Sequence, residues 1–221
     1  MTASYRGAVR QLLRDRLLDA GREQLGGRTW ASVTMAEIAA AGGVSRQTLY
    51  NEFGTRDEFG QALVIREGGR FLDAVEQAID EHSDDPLAAL TAGLERFLAI
   101  AQDDALVRLL LADNGTAGLL PLLTTQSGPL LDWASRQLAD TIDGHWPGVA
   151  RSDLDVLADA LVRLAISHVT APRDPPARTA ASITRLLAPS IEQMLASAGA
   201  RTARGSQLKG AAGSRSSSRP R

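Results

Sequence analysis

The sequence predicts an all-α protein in which a small N-terminal three-helix unit precedes a larger C-terminal helical body. Apolar residues recur every three or four positions in one segment after another, which is the period of a helix buried along one face. Only 4% of the residues are aromatic, while alanine, leucine and arginine are abundant, and this composition favours helix over sheet. With 221 residues, the chain is long enough for one small and one medium domain.

The first predicted helix covers residues 5–24 and combines an apolar stripe with a basic face. Its apolar residues follow helical spacing at Val9, Leu12, Leu13, Leu17 and Ala20. The arginines between them form either contacts to a polyanion or a solvated face. Gly26 and Gly27 end the helix, and Trp30 is expected to wedge the next connection into a small core.

Two capping boxes mark the starts of later helices. Thr34 precedes Glu37 by three positions, so its hydroxyl can accept from a free N–H while the carboxylate accepts from the N–H of Thr34. Thr55 and Glu58 repeat the same spacing. The sequence therefore predicts one helix behind Thr34 and another behind Thr55.

A glycine turn and a further helix lie between these two starts. Gly42 and Gly43 permit the positive φ that ends the helix behind Thr34. Ser45 is a favourable N-cap for a short helix over residues 46–52. Two short helices joined by a glycine turn, with a third helix behind them, are typical of a helix-turn-helix.

The second of these short helices has one apolar and one polar face. Val44, Leu49 and Phe53 are spaced to pack inward. The side chains left to project are those of Arg46, Gln47, Thr48, Tyr50 and Asn51. Most of them bond base edges or phosphates and none is acidic, which indicates a recognition helix. The alternative is a polar, solvated face on a small helical corner.

Three runs in this stretch resemble the DNA-binding signature of the TetR family of bacterial transcriptional regulators. They are AGGVS at residues 41–45, TLY at 48–50 and FGTRDEF at 53–59. Residues 45–54 are also similar to a subgroup that represses alkane-oxidation genes in high-GC bacteria. Arg56 stands where many members carry lysine, and arginine can still bind a phosphate with two N–H groups.

The resemblance implies a DNA-binding domain at residues 1–54, here called the head, and a ligand-binding and dimerisation domain at residues 55–198, here called the body. From Gly199 the chain is rich in glycine, serine, alanine and arginine without periodicity, so residues 199–221 are predicted to form a disordered basic tail. The candidate DNA-binding residues are Thr34, Ser45, Arg46, Gln47, Thr48, Tyr50, Asn51 and Arg56.

The net charge of −2 conceals a partition along the chain. Residues 1–56 carry +3, residues 57–200 carry −11 and residues 201–221 carry +6. A basic N-terminal part on an acidic body orients the molecule towards a polyanion such as double-stranded DNA.

Several classes of protein are excluded by what the sequence lacks. It contains no cysteine, and no apolar run approaches the about 18 residues of a membrane span, so we expect a cytoplasmic protein without membrane association. Nucleophile, phosphate-binding and metal-ligand motifs are absent, so we expect no enzyme, no cofactor and no metal. A helical lipid-carrying protein is the alternative, although it would have no use for the polar residues 46–51.

A long helix is predicted from Thr55 to about His82, or roughly 40 Å at 1.5 Å per residue. In the TetR family the corresponding helix connects the DNA-binding and regulatory domains, and the resemblance implies the same role here. Gly68 and Gly69 lie inside this helix, where such a pair either kinks the axis or admits a close neighbour.

The rest of the body reads as further helices and one irregular stretch. The helices are predicted at residues 86–102, from 106 to about 113, and at 130–142, 153–169 and 177–198, the penultimate one capped by Ser152 and the last one containing Pro189. Leucines surround Pro121 within residues 115–129 without forming one clean helix. This stretch forms either an irregular cavity wall or a loop on the core.

The apolar residues of the body predict either an ordinary core or a cavity for a small lipophilic effector, such as a fatty acid, an acyl ester or a hydrocarbon. The resulting hypothesis is a regulator, most simply a repressor, that the effector releases from DNA. Arg108, Asn114, Thr124 and Thr125 are candidate polar partners for the effector's head group. The candidate effector-binding residues are Leu94, Phe97, Leu98, Arg108, Leu109, Leu110, Asn114, Leu119, Leu123, Trp133 and Leu161.

We expect a homodimer that binds a palindromic operator. One recognition helix reads only a few base pairs, and a two-fold protein matches half-sites about one DNA turn apart. In the TetR family the last two helices form a four-helix interface with those of the second copy, and the resemblance implies the same here. The candidate interface residues are Leu164, Ala165, His168, Ile183, Leu187, Ile191 and Met194.

Overall fold

The computed structural model describes residues 2–112 and 119–214, and every regular element within them is helical. The predicted all-α fold is therefore confirmed. The helices are α1 (Thr2–Gln24), α2 (Met35–Ala41), α3 (Arg46–Phe53), α4 (Arg56–Asp80), α5 (Pro86–Asp103), α6 (Ala105–Ala112), α7 (Leu120–Leu123), α8 (Gly128–His145), α9 (Arg151–Thr170) and α10 (Pro176–Ser214), with a 3-10 turn at Trp30–Ser32.

Both capping boxes predicted for the head are present. The Glu37 backbone N–H donates to the Thr34 hydroxyl at 3.2 Å, and the Thr34 N–H donates to the Glu37 carboxylate at 2.7 Å. Thr55 and Glu58 form the same pair of bonds at the start of α4. The hydroxyl and N–H of Thr34, helped by Arg28, lower the pKa of Glu37 to about 2. Local hydrogen bonds therefore fix where α2 and α4 begin.

A first apolar core, here called the head core, lies between α1, α2, α3 and the first half of α4, and it also includes Leu106, Leu119, Leu122 and Leu130 of the body. Its completely buried side chains include Leu17, Ile38, Leu49, Phe59 and Leu63. Trp30 is buried in the same cluster, as predicted, and stacks on Phe59 with 6.3 Å between ring centroids. This core holds α3 by its apolar face and leaves its other face outward.

The body surrounds a second core built by α4, α5, α8, α9 and α10. The glycine pair in α4 admits a close neighbour, because a Cβ atom at Gly68 would lie 3.0 Å from the Trp133 ring. Among the described residues, no helix combines the length and apolar character needed to cross a membrane.

Two predicted features of the later helices are wrong. Helix α9 begins at Arg151 behind Ala150, because Arg151 pairs with Asp140 on α8 and with Asp155 one turn further on, so Ser152 is not its cap. Helix α10 continues to Ser214, where the sequence predicted disorder from Gly199.

The extension of α10 has a physical basis in the described residues. Arg201 donates to the Gly148 carbonyl at 2.9 Å, which ties the helix to the turn before α9. The tail residues 215–221 lie outside the described part of the chain, and the division into domains at residues 54 and 198 stays a prediction.

Candidate DNA interface and effector cavity

Helix α3 presents a polar face to solvent. Leu49 and Phe53 are buried in the head core and anchor the helix from below. Of the predicted contact residues, Ser45, Arg46, Gln47 and Asn51 are exposed, while Thr48 and Tyr50 are partly exposed. Thr34 is exposed at the start of α2. These side chains therefore project from the head as the sequence predicted, while their contacts to DNA stay a prediction.

The projecting side chains of α3 are arranged in pairs one turn apart. The Gln47 amide donates to the Asn51 side-chain oxygen at 2.9 Å. The Arg46 guanidinium donates to the Tyr50 hydroxyl at 3.3 Å and lies 5.3 Å from the Tyr50 ring centroid. Arginine has five N–H donors and glutamine two, so these groups keep donors for an external acceptor such as a base edge or a phosphate.

The one carboxylate of α3 points away from this face. Glu52 accepts a hydrogen bond from the Arg10 guanidinium at 2.8 Å, and Arg14 donates to its backbone carbonyl. Arg14 also lies 4.2 Å from the Phe53 ring centroid. Two arginines of α1 therefore fasten α1 to α3 and neutralise the acid that would otherwise repel DNA.

Arg56 has an internal role in this structure, and its phosphate contact stays a prediction. Its guanidinium donates to the backbone carbonyls of Trp30 and of Val33, the second at 3.0 Å, and lies 4.6 Å from a Trp30 ring centroid. It thus clamps the start of α4 to the turn before α2. The sequence could not reveal this, because the two carbonyls are more than twenty residues away in the chain.

The body contains an apolar cavity of about 130 Å³. Helices α4, α5, α8 and α9 form most of its wall and α6 closes one end. Its polar lining residues are Glu67, Asp104 and Thr170. The apolar side chains on its wall include Val64, Phe71, Val75, Ile79, Leu90, Leu94, Phe97, Leu106, Val107, Leu130, Trp133, Leu138, Leu161, Val162, Ile166 and Val169.

Some of the predicted effector residues line this cavity and others do not. Leu94, Phe97, Trp133 and Leu161 do. Leu98 and Arg108 face an adjoining pocket instead. Asn114 lies outside the described residues, as do the side chains of Leu109, Leu110 and Leu123. The α4 residues on the wall were missed, because their apolar stripe was assigned to a connecting role.

At the end of the cavity nearest the head, an ion-pair cluster joins the cavity wall to α1. Glu67 is only 5% exposed, and its carboxylate pairs with Arg22 of α1, with Arg66 at 3.2 Å and with Arg70 at 3.4 Å. Arg22 also lies 3.5 Å from Asp104. We call Arg22, Glu67 and Asp104 the junction cluster, since Arg22 belongs to the head and both acids line the cavity.

An apolar seam links the same two regions. Leu119, which precedes α7, and Leu122, within α7, belong to the head core. The sequence predicted Leu119 on the cavity wall, but it does not line the cavity. The close approach depends on Gly60, where a Cβ atom would lie 2.7 Å from Leu119 and 3.3 Å from Trp30. The residues Val64, Leu106 and Leu130 line the cavity and also belong to the head core.

The predicted dimer residues lie largely within the core of one chain. Ala165, Ile183 and Ile191 are buried there, and Ala165 lines the cavity. Leu164, Leu187 and Met194 are partly buried against that core, while His168 faces the adjoining pocket. Periodicity marks an apolar face but does not say whether the chain itself or a second copy covers it. The exposed large apolar residues of α9 and α10 are Val156, 68% exposed, and Leu186, 74% exposed.

Comparison with known proteins assigns this architecture. Residues 17–63 match the family model described as bacterial regulatory proteins, tetR family, and residues 85–189 match the bacterial tetracyclin repressor C-terminal domain. The chain is 38% identical over 189 residues to the HTH-type transcriptional regulator AlkX of Mycobacterium tuberculosis, an alignment that covers 86% of this chain and 90% of that regulator. The chain belongs to the TetR family of transcriptional regulators.

Solved structures agree with this assignment. The TetR-family repressor AlkX from Dietzia sp. strain DQ12-45-1b, described as implicated in biodegradation of n-alkanes, is 32% identical, with a TM-score of 0.72 over 82% of this chain and 96% of that one. The repressor QsdR of R. erythropolis is 19% identical, with a TM-score of 0.59 over 80% of this chain and 94% of that one, and shares the fold. Both the DNA-binding helix-turn-helix and the role in transcription regulation follow from family membership.

Proposed function

We propose that this regulator is a repressor that binds a palindromic operator as a homodimer and leaves it when a lipophilic effector occupies the body. The observation that carries the proposal is the shared wall. Val64, Leu106 and Leu130 line the apolar cavity and pack in the head core at the same time. A ligand that displaces these side chains must therefore disturb the support of α3.

The DNA-binding step rests on the acid-free face of α3. Its N-terminus is capped by Ser45, whose hydroxyl accepts from the Thr48 N–H at 3.1 Å, and its exposed donors project from a helix anchored by two buried side chains. Such a helix fits the major groove, and loss of one good base contact typically reduces discrimination by about 1–3 kcal/mol. Gln47 and Arg46 are the residues best placed for base contacts.

Dimerisation is proposed through the outward faces of α9 and α10. Val156 and Leu186 are large apolar residues exposed in the single chain, and the partly exposed Leu187 and Met194 follow on the same helix α10. A second copy covering these residues would remove them from water. The two recognition helices would then reach half-sites about one helical turn apart.

The effector is proposed to be lipophilic because the cavity wall is almost entirely apolar. Its acids are not available to an incoming ligand, since Glu67 and Asp104 are paired with Arg22. Fatty acids, acyl esters and hydrocarbons all match such a lining. The similarity to a repressor implicated in n-alkane biodegradation supports the same choice.

The switch is proposed to act through α4. An effector shifts the equilibrium towards the DNA-free form only by its difference in affinity for the two forms. The junction cluster and the Gly60 seam join α1, α4 and α7, and we assign these contacts to the DNA-binding form. Filling the cavity would move its wall, strain these two connections and change the separation of the recognition helices in the dimer.

The test is titration of the purified protein against a labelled DNA fragment from upstream of its own gene, followed by fluorescence anisotropy at several salt concentrations. We expect salt-sensitive binding, weaker affinity and relaxed base preference for Gln47→Ala, and release by an aliphatic ligand. Arg136→Gln, which changes an exposed arginine of α8, is the matched control and should bind as the wild type does. Failure to bind any regulatory fragment, with retained binding of lipids, would instead indicate a lipid carrier.

A further inference from the structure

A second pocket of about 220 Å³ adjoins the apolar cavity. It lies where α5 and α9 end and α6 and α10 begin. Ala101 and Val169 line both spaces, so the two pockets are neighbours that share these side chains. The second pocket also contains Arg108, His168 and Asp174, which makes it far more polar than the first.

Arg108 gives this pocket an exposed guanidinium that forms no ion pair with a carboxylate in the described part of the chain. Its guanidinium donates to the backbone carbonyls of Asp103 at 2.9 Å and of Gln102 at 3.4 Å. These neutral acceptors hold the side chain in place without cancelling its charge. The carboxylate of Asp174 on the same pocket is paired with Arg178 at 3.4 Å. An anion in this pocket would therefore meet a positioned arginine.

The first cavity offers no comparable partner for an anionic head group. At its polar end, Glu67 and Asp104 are carboxylates, and the arginines that neutralise them are already engaged. Asp104 also accepts the backbone N–H groups of Leu106 and Val107 at 2.8 and 3.0 Å. A ligand carboxylate at this end would repel two acids or leave them unpaired, both of which cost free energy.

The size of the first cavity also indicates that a long ligand must extend beyond it. Its volume of about 130 Å³ is close to that of an apolar protein cavity that holds one benzene ring, or about six carbon atoms. A longer aliphatic chain must leave this cavity. The adjoining pocket is the nearest space for it in the described structure, across Ala101 and Val169.

We propose, on the basis of the effector function argued above, that the effector is an anionic amphiphile bound across both spaces. Its aliphatic tail fills the cavity at Phe97 and Leu161, and its carboxylate binds at Arg108 beside His168. The head group therefore determines specificity at Arg108, away from the junction cluster, while the tail acts on the wall that the head core shares.

The experiment compares ligands of equal chain length, decanoate, 1-decanol and decane, on four proteins. These are the wild type, Arg108→Gln, Arg108→Lys and the control Arg136→Gln. Binding is measured by calorimetry for the two soluble ligands, and release from operator DNA by anisotropy for all three. Because a hydrogen bond to a charged group is strong, we expect decanoate affinity to fall roughly tenfold or more in Arg108→Gln. Arg108→Lys should restore part of it, and 1-decanol should bind all four proteins equally.

The outcomes separate this inference from the proposed function. Equal decanoate affinity in the wild type and Arg108→Gln would overturn the assignment of the head-group site, while release of DNA by 1-decanol or decane would leave the repressor function standing. Equal losses for decanoate and 1-decanol would also overturn it, since Arg108 would then support the fold of the pocket and not bind a charge. If none of the three ligands binds or releases DNA, both the effector function and this inference fail.

Discussion

The head and the body are both helical and both apolar inside, yet they are packed differently. In the head, Phe59 lies against Trp30 and meets the Phe53 ring edge-on, with 4.8 Å between the centroids of the two phenylalanines. In the body, Phe71 meets Phe97 edge-on at 5.9 Å, and both rings border a cavity. The aromatic rings of the head fill its core, whereas those of the body border a space large enough for a small ligand.

Helix α4 belongs to both arrangements. Near its start, Phe59 and Leu63 are completely buried in the head core. Further along, Phe71 and Val75 face the cavity. Helix α4 therefore joins the cavity wall to the head core that supports α3, and under the proposed function it carries a displacement of that wall to α3. Under the proposed function, this difference in packing places the filled core beneath the DNA-reading helix and the free volume where the effector binds.

The difference in packing between the head and the body is tested most directly by removing one aromatic ring from each. We expect Phe59→Ala to lower the free energy of unfolding by about 3–5 kcal/mol and to abolish DNA binding, because it empties a filled core. Phe97→Ala removes a partly exposed ring beside an existing cavity and should cost about 1 kcal/mol. Urea unfolding followed by circular dichroism measures both. Equal losses would show that the body is packed as tightly as the head.

The junction cluster gives the next largest expected effect. Glu67→Gln leaves Arg22, Arg66 and Arg70 with one carboxylate fewer. We expect the free energy of unfolding to fall by about 1–3 kcal/mol, a range kept low because water screens the charges of Arg22 and Arg70. The effector should then release DNA less completely. The matched control is Glu95→Gln, on the exposed face of α5. Unchanged release in Glu67→Gln would remove the cluster from the switch.

These two predictions also show which features a sequence can reveal. Thr34 and Glu37 lie three residues apart, as do Thr55 and Glu58, so the hydrogen bonds of each pair form within one helical turn. The starts of α2 and α4 could therefore be predicted to the residue. The contacts of Arg56 and Leu119 are with residues distant in the chain, and the neighbouring sequence does not indicate towards which element these side chains point. The position of Ala165 in the core of one chain was missed for the same reason, because periodicity gives the direction of a side chain only relative to its own helix.

The Gly60 seam can be tested against a glycine of the same helix. Alanine is favoured over glycine in a helix by about 1 kcal/mol, so Gly69→Ala, whose Cβ would meet only Trp133 at an ordinary 3.9 Å, should stabilise the protein by up to that amount. Gly60→Ala gains the same propensity but crowds Leu119 and Trp30. We therefore expect no net stabilisation, a weaker effector response and unchanged effector affinity. Thermal unfolding and ligand titration of both variants measure this, and identical behaviour would show that the seam does not require close contact.

The smallest expected effect concerns the head alone and depends on pH. The pKa of Glu37 is lowered from 4.5 to about 2, first by the Thr34 hydroxyl and then by the Thr34 N–H and Arg28. A carboxyl group whose pKa is lower in the folded state stabilises that state above the unfolded value and loses this contribution as pH falls through the folded value. The amides of Thr34 and Glu37 should therefore exchange increasingly fast, relative to the unstructured chain, as pH falls from 4.5 towards 2. In Glu37→Gln this pH dependence should be flatter, because the side-chain carbonyl of glutamine still accepts from Thr34 but does not titrate. If both proteins show the same dependence, then Glu58, whose pKa is lowered in the same way by Thr55, or another group controls the acid response of the head.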